Sequence, residues 1–152
     1  MEPVYFEEIE SGEKIAGSAL FEVTKEEIIE FAGRWDPRPF HIDEAAAASS
    51  VFGGFVACSA HVFSILSWFA AQPERRGASL AALGFDEVRL HHPVRPGDKL
   101  SCTFTCLDKR DSASNPDRGI VRHRGVLSNQ DGMEVFSAIV TTLVAKRSRL
   151  KR

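Results

Sequence analysis

Hydrophobic and polar positions change their spacing part-way along the chain. In the second half, Leu100, Cys102, Phe104 and Cys106 alternate with Ser101, Thr103 and Thr105, the period-two pattern of a strand with one buried face. The runs "GIVRHRGVLSN" and "EVFSAIVTTLVAK" predict two more strands, joined across Asn129-Gln130-Asp131-Gly132, whose Asp-Gly pair signals a hairpin. "FDEVRLHHPV" predicts another, stopped by a turn at Pro96-Gly97-Asp98. In the first half, "KIAGSALFEV" from Lys14 to Val23 predicts a strand. "TKEEIIEFAGRW" then predicts a helix, with Thr24 and Glu27 at the spacing of a capping box and Gly33 as the end signal. Asp43 reads as the N-cap of a short helix, "EAAAASS". A strand, helices and then four strands in a row imply an α+β fold, an antiparallel sheet packed on a long helix.

One stretch tests that picture. Between Ala45 and Pro73 there is no Asp, Glu, Lys or Arg, which is length enough to span a bilayer. Gly53, Gly54, Ser59, His61, Ser64 and Ser67 interrupt it, so the reading is a buried central helix over Val56–Ala71 rather than a membrane span. The 152 residues, 43% of them hydrophobic, suit one domain over 1–152. Its basic end, from Lys146 to Arg152, reads as solvated rather than as a nucleic-acid or membrane tether. A net charge of −2 offers no footprint for nucleic acid. Three cysteines, Cys58, Cys102 and Cys106, argue against a disulfide framework and for a reducing, cytoplasmic compartment. They lack the paired spacing of a zinc site. The opening "MEPVYFEEIE" is acidic where a secretory signal would be basic.

The candidate chemistry lies in "WDPRPFHID", where Pro37 and Pro39 stand between Asp36 and His41. Two fixed φ angles restrict how far the carboxylate and the imidazole can move apart. Held on one loop, such a pair can share a single water and carry out proton transfers on one face of a substrate. Seen alone, the same residues also fit a plain turn with a locally bonded histidine. A metal site from Asp36, His41 and Asp43 has no further ligand cluster to complete it, and Asp43 is better read as a cap. His91, His92 and His123 carry no motif and read as surface or strand residues. His61 reads as a satisfied buried histidine, with a pocket position as the alternative.

Beyond the loop, "DPRPFHIDEAAAASSVFGGFVACSAHVFSILS" followed by "FDEVRLHHPVRPGDKL" resembles the MaoC-like dehydratases and (R)-specific enoyl-CoA hydratases of the hotdog fold. The pieces match in order: Asp36, His41, the alanines 45–48, and the Gly53-Gly54 turn. The resemblance implies an antiparallel sheet wrapped around the long helix, a homodimer or dimer of dimers, and a coenzyme A thioester as substrate with no further cofactor. It implies Asp36 and His41 as the acid/base pair. It places the Ser59 N–H where the family has an oxyanion-binding glycine amide, Ser67 as a supporting serine, and Gly54 among the substrate-binding residues. The chain departs from the family at Arg38, where Asn is common, and at Cys58-Ser59, where the family has His-Gly. Both departures bear on substrate identity more than on reaction type.

The activity implied is hydration of an enoyl thioester or dehydration of a 3-hydroxyacyl thioester. A hotdog thioesterase and a non-catalytic acyl-binding protein are the alternatives. Phe55, Phe63, Trp68 and Phe69 fit either a tunnel lining or the core.

Overall fold

The structure is a computed structural model that describes residues 2–72 and 77–147. After a 3-10 turn at Phe6–Glu8 come two short strands, β1 (Lys14–Ala16) and β2 (Phe21–Glu22). Four helices follow: α1 (Lys25–Trp35), α2 (Pro39–Ile42), α3 (Glu44–Ser49) and α4 (Ser59–Ala70). The long strands β3 (Ser79–Leu90), β4 (Lys99–Asp111), β5 (Arg118–Ser128) and β6 (Glu134–Ala145) are the last elements among the described residues. The sheet runs β1-β4-β5-β6-β3, every neighbour antiparallel, with β2 also on β4. The strand expected over 14–23 is therefore two pieces, and both pair with β4.

The alternation in β4 does what its period requires. Leu100, Cys102, Phe104 and Cys106 are all buried, and the first three share a core with Val62, Ile65, Leu66 and Phe69 of α4. Opposite Phe104 in the ladder stands Gly125. A Cβ there would lie 2.8 Å from Leu66 Cδ1 and 2.9 Å from Phe104 Cε1, so β5 uses glycine where the helix comes closest to the sheet. Each large side chain in this core contributes about 1.5–3 kcal/mol through burial.

The central helix is shorter than the hydrophobic run implied. Val56, Ala57 and Cys58 are buried but not helical, because their backbone groups serve other partners. The Ala57 N–H donates to Val94 O at 2.9 Å, and Val56 O accepts from a histidine described below. The 12-residue helix that follows buries one face, through His61, Val62, Ile65, Leu66 and Phe69, and leaves Ala60, Ser64, Ser67 and Ala70 exposed. The sheet thus covers it from one side only. Among the described residues no helix is long and apolar enough to cross a membrane.

Helix α1 also ends differently. It passes through Gly33 to Trp35, with Asp36 as its C-cap. The stop comes from Pro37, which bars the residue before it from helical geometry; Asp36 accordingly has φ −153° and ψ 70°. At the other end Thr24 Oγ1 accepts from the Glu27 N–H at 3.2 Å. The return half of the expected capping box is not made, for the Glu27 carboxylate instead approaches His61. At the basic end, Lys146 pairs with Asp111 and Arg147 with Glu8; residues 148–152 lie outside the described residues.

Candidate active site

Asp36 is held by its own helix end, its N–H donating to Ala32 O at 2.8 Å. Pro37 then extends the chain, Arg38 forms the N-cap of α2, and Pro39 occupies the first helical position, where its missing N–H costs nothing. One turn later His41 points inward and is 5% exposed. Its Nδ1 lies 2.7 Å from Val56 O. A carbonyl only accepts, so Nδ1 carries the proton and neutral His41 presents Nε2 as a lone pair.

That Nε2 faces Asp36 Oδ2 across 3.8 Å. The gap is too long for a direct hydrogen bond and short enough for both atoms to hold one water. The Asp36 Oδ2 also accepts from Arg38 Nη1 at 2.9 Å, so the residue that departs from the family pattern grips the carboxylate. The structure brings the two together: Asp36 and His41 line one cavity of about 320 Å³.

Ser59 lines the same cavity as the first residue of α4, where backbone N–H groups lack helical partners and the helix dipole is positive. Ser67 is elsewhere. It lines a second cavity, of about 580 Å³, with Leu66, Ala70, Phe85 and Val140. Gly54 borders neither cavity; it sits in the turn after α3, beside Arg95, whose Nη2 donates to Phe52 O at 2.7 Å. Phe55, Phe63, Trp68 and Phe69 also line neither cavity, and Phe69 belongs to the core. Asp43 is a cap, its Oδ1 accepting from the Ala46 N–H at 2.8 Å. Among the described residues no three His, Cys, Asp or Glu side chains cluster for a metal.

Two residues read as surface or strand positions border the same cavity. His91 and His92 line the cavity of Asp36 and His41, a position that their place after an exposed strand end does not announce. His61, by contrast, is 2% exposed and stacks flat on Phe31 with ring centroids 4.6 Å apart. Its Nε2 is 3.3 Å from Glu27 Oε1 without meeting hydrogen-bond geometry. Burial pushes its pKa down, and the Glu27 charge opposes this. Cys58, beside the site, is buried, and burial followed by the charge of Asp36 pushes its thiol up. Such a thiol is protonated and a poor nucleophile.

The model of the MaoC like domain matches residues 8–124. The chain belongs to the MaoC-like domain family. A MaoC-like dehydratase from Rhodospirillum rubrum is 34% identical, with a TM-score of 0.85 over 95% of this chain and 98% of that one. Two more distant structures share the MaoC-like architecture as a fold. One is an R-hydratase from Pseudomonas aeruginosa, 23% identical with a TM-score of 0.75 over 95% and 88% of the two chains. The other is a Mycobacterium tuberculosis protein with a double hotdog fold, 16% identical with a TM-score of 0.74 over 95% and 44%. The fold expected from the sequence, a hotdog, is the fold observed.

Proposed function

We propose that this MaoC-like protein is a hydro-lyase that adds water to, or removes it from, the double bond of an acyl thioester, with coenzyme A as the carrier and (R) stereochemistry at the hydroxyl. One observation carries the reading: His41 Nε2, its tautomer fixed from behind by Val56 O, stands 3.8 Å from Asp36 Oδ2 in a cavity. A water bridging the two gives its hydroxide to the β-carbon while one of the pair takes its proton. The pair returns a proton to the α-carbon, so hydration balances without an oxidant or reductant. Negative charge that builds on the thioester oxygen is met by N–H groups at the start of α4, Ser59 first.

The same reading takes the protein to be a homodimer in a reducing cytoplasm, supported by the long uncovered edge of β3 and by three free cysteines. The test is incubation with crotonyl-CoA, following both the absorbance of the conjugated thioester and free thiol. Loss of conjugation without thiol is the expected result. Thiol release would make the protein a thioesterase, and no change in either would leave an acyl-binding role.

A further inference from the structure

The two cavities lie one after the other along the same pair of elements. On α4 the smaller, which holds Asp36 and His41, is lined by Ser59 and Val62, and the larger by Leu66, Ser67 and Ala70. On β3 the smaller is lined by Leu90 and the larger by Phe85, Ala82 and Ser79. Ser59, Phe63, Leu66 and Ala70 are spaced four, three and four residues apart, which puts them on one face of the helix. Phe63 is therefore the residue of that face that stands between the cavities, and it lines neither. Its ring packs edge-on against Phe85 of β3, centroids 4.7 Å apart, and against Phe136 of β6, at 5.8 Å. Phe136 in turn stands opposite Leu90 in the ladder. The three rings bridge helix and sheet across the interval between the two spaces. On the other flank Leu66 closes against Gly125, where even a Cβ would come within 2.8 Å of it.

The members of this partition differ in how removable they are. Phe136 is 1% exposed and Leu66 2%, both inside the main core. Phe63 is only partly buried and packs on the edge of that core, so it can be shortened without hollowing the centre. Reach along the helix gives the partition a meaning. An acyl chain whose thioester oxygen rests on the Ser59 N–H has about 6 Å of helix before it meets Phe63, the reach of a butanoyl chain. Without that ring the same face offers about 16 Å, to Ala70, enough for an octanoyl chain. With the ring in place an octanoyl tail has to turn out to water or displace packed side chains. Either course forfeits the burial of its last four methylenes, worth on the order of a hundredfold in affinity at full transfer. The wall of the larger cavity is mixed, with Ser67 and Thr142 beside Phe85 and Val140, so the realised gain is smaller.

Resting on the hydro-lyase reading, we propose that Phe63 is a specificity-determining residue: packed on Phe85 and Phe136, it closes the way from the cavity of Asp36 and His41 to the larger one and confines the protein to acyl groups of butanoyl length. Calorimetric titration with butyryl-CoA and octanoyl-CoA reads this without any reaction, because both acyl chains are saturated. Contacts to the coenzyme A portion are common to the two and cancel in the ratio. The unaltered protein should bind them within about twofold. Phe63→Ala, checked by thermal melting, should favour octanoyl-CoA by at least about tenfold, with butyryl-CoA little changed. If that variant fails to fold, Phe63→Leu replaces it, with a shift of several-fold expected. Octanoyl-CoA favoured as strongly by the unaltered protein as by the folded variant overturns the proposal, since Phe63 would then be packing alone. Failure to bind either thioester overturns it together with the reading beneath it. Hydration is scored separately with crotonyl-CoA and 2-octenoyl-CoA. A shift in binding with neither substrate hydrated would remove the reaction while leaving Phe63 as the limit on chain length.

Discussion

A backbone carbonyl decides how His41 can work. With Nδ1 bound to Val56 O, the ring cannot change tautomer without losing that bond, so Nε2 is always the working edge toward Asp36. Two groups that act on one water act as a unit. Asp36→Asn and His41→Ala are each expected to lower turnover by about a hundredfold or more. The double variant should be little worse than either single one, because such losses do not add. Enoyl-CoA hydration rates on the three proteins check this, and the outcome that sinks the assignment is an Asp36→Asn protein that keeps most of its activity while melting normally. This pair was legible in the sequence because six residues of loop contain both members and the prolines between them. His91 and His92 were not, since their partners on β6 are 46 and 42 residues away, and no local pattern encodes a hydrogen bond across that distance.

The elements around the pair have their own sensitivities. Thr24 caps α1, whose far end carries Asp36. Thr24→Ala should cost about 1 kcal/mol, lowering the melting temperature by about 2–4 °C for a chain of this size. Helix α1 is tied to α4 by Phe31, Glu27 and His61. Burial lowers the His61 pKa, so between its folded and unfolded values the unfolded chain holds more protons than the folded one. Its contribution is present above the unfolded value, about 6.5, and is lost as pH falls through that value toward the folded one. Melting temperatures from about pH 7.5 to 5.5 should therefore drop on acidification. His61→Phe, which keeps a ring against Phe31, should flatten that drop; an unchanged slope would show that His61 does not cause it. At this scale the sequence was readable where the signal was local, as with Thr24, Asp43 and the alternation of β4. It misled where tertiary partners decided. The apolar Val56–Cys58 segment has helical composition, yet Ala57 N–H and Val56 O are taken by Val94 and His41.

For the whole molecule the telling feature is the edge of the sheet. β1 closes one side with three residues, while on the other side the outer edge of the 12-residue β3 has no strand partner among the described residues, with Leu80, Leu83, Phe85 and Leu90 exposed along it. A long apolar edge invites another strand unless something covers it. A second copy meeting it by two-fold symmetry would extend the sheet without leaving a new open edge. Light scattering at micromolar concentration should accordingly give about twice the 16.8 kDa chain mass. The chain mass alone would show that β3 remains uncovered.

Cys58, Cys102 and Cys106 are all buried, and burial holds the Cys58 and Cys106 thiols above their usual range. Disulfide reagents respond to exposed thiolate, so the folded protein should stay dark to the dye that counts liberated coenzyme A. Whatever colour then develops without substrate measures how often the core opens to solvent. Three equivalents of thiol per chain would serve as a clock for unfolding, running inside the same cuvette as the hydration assay.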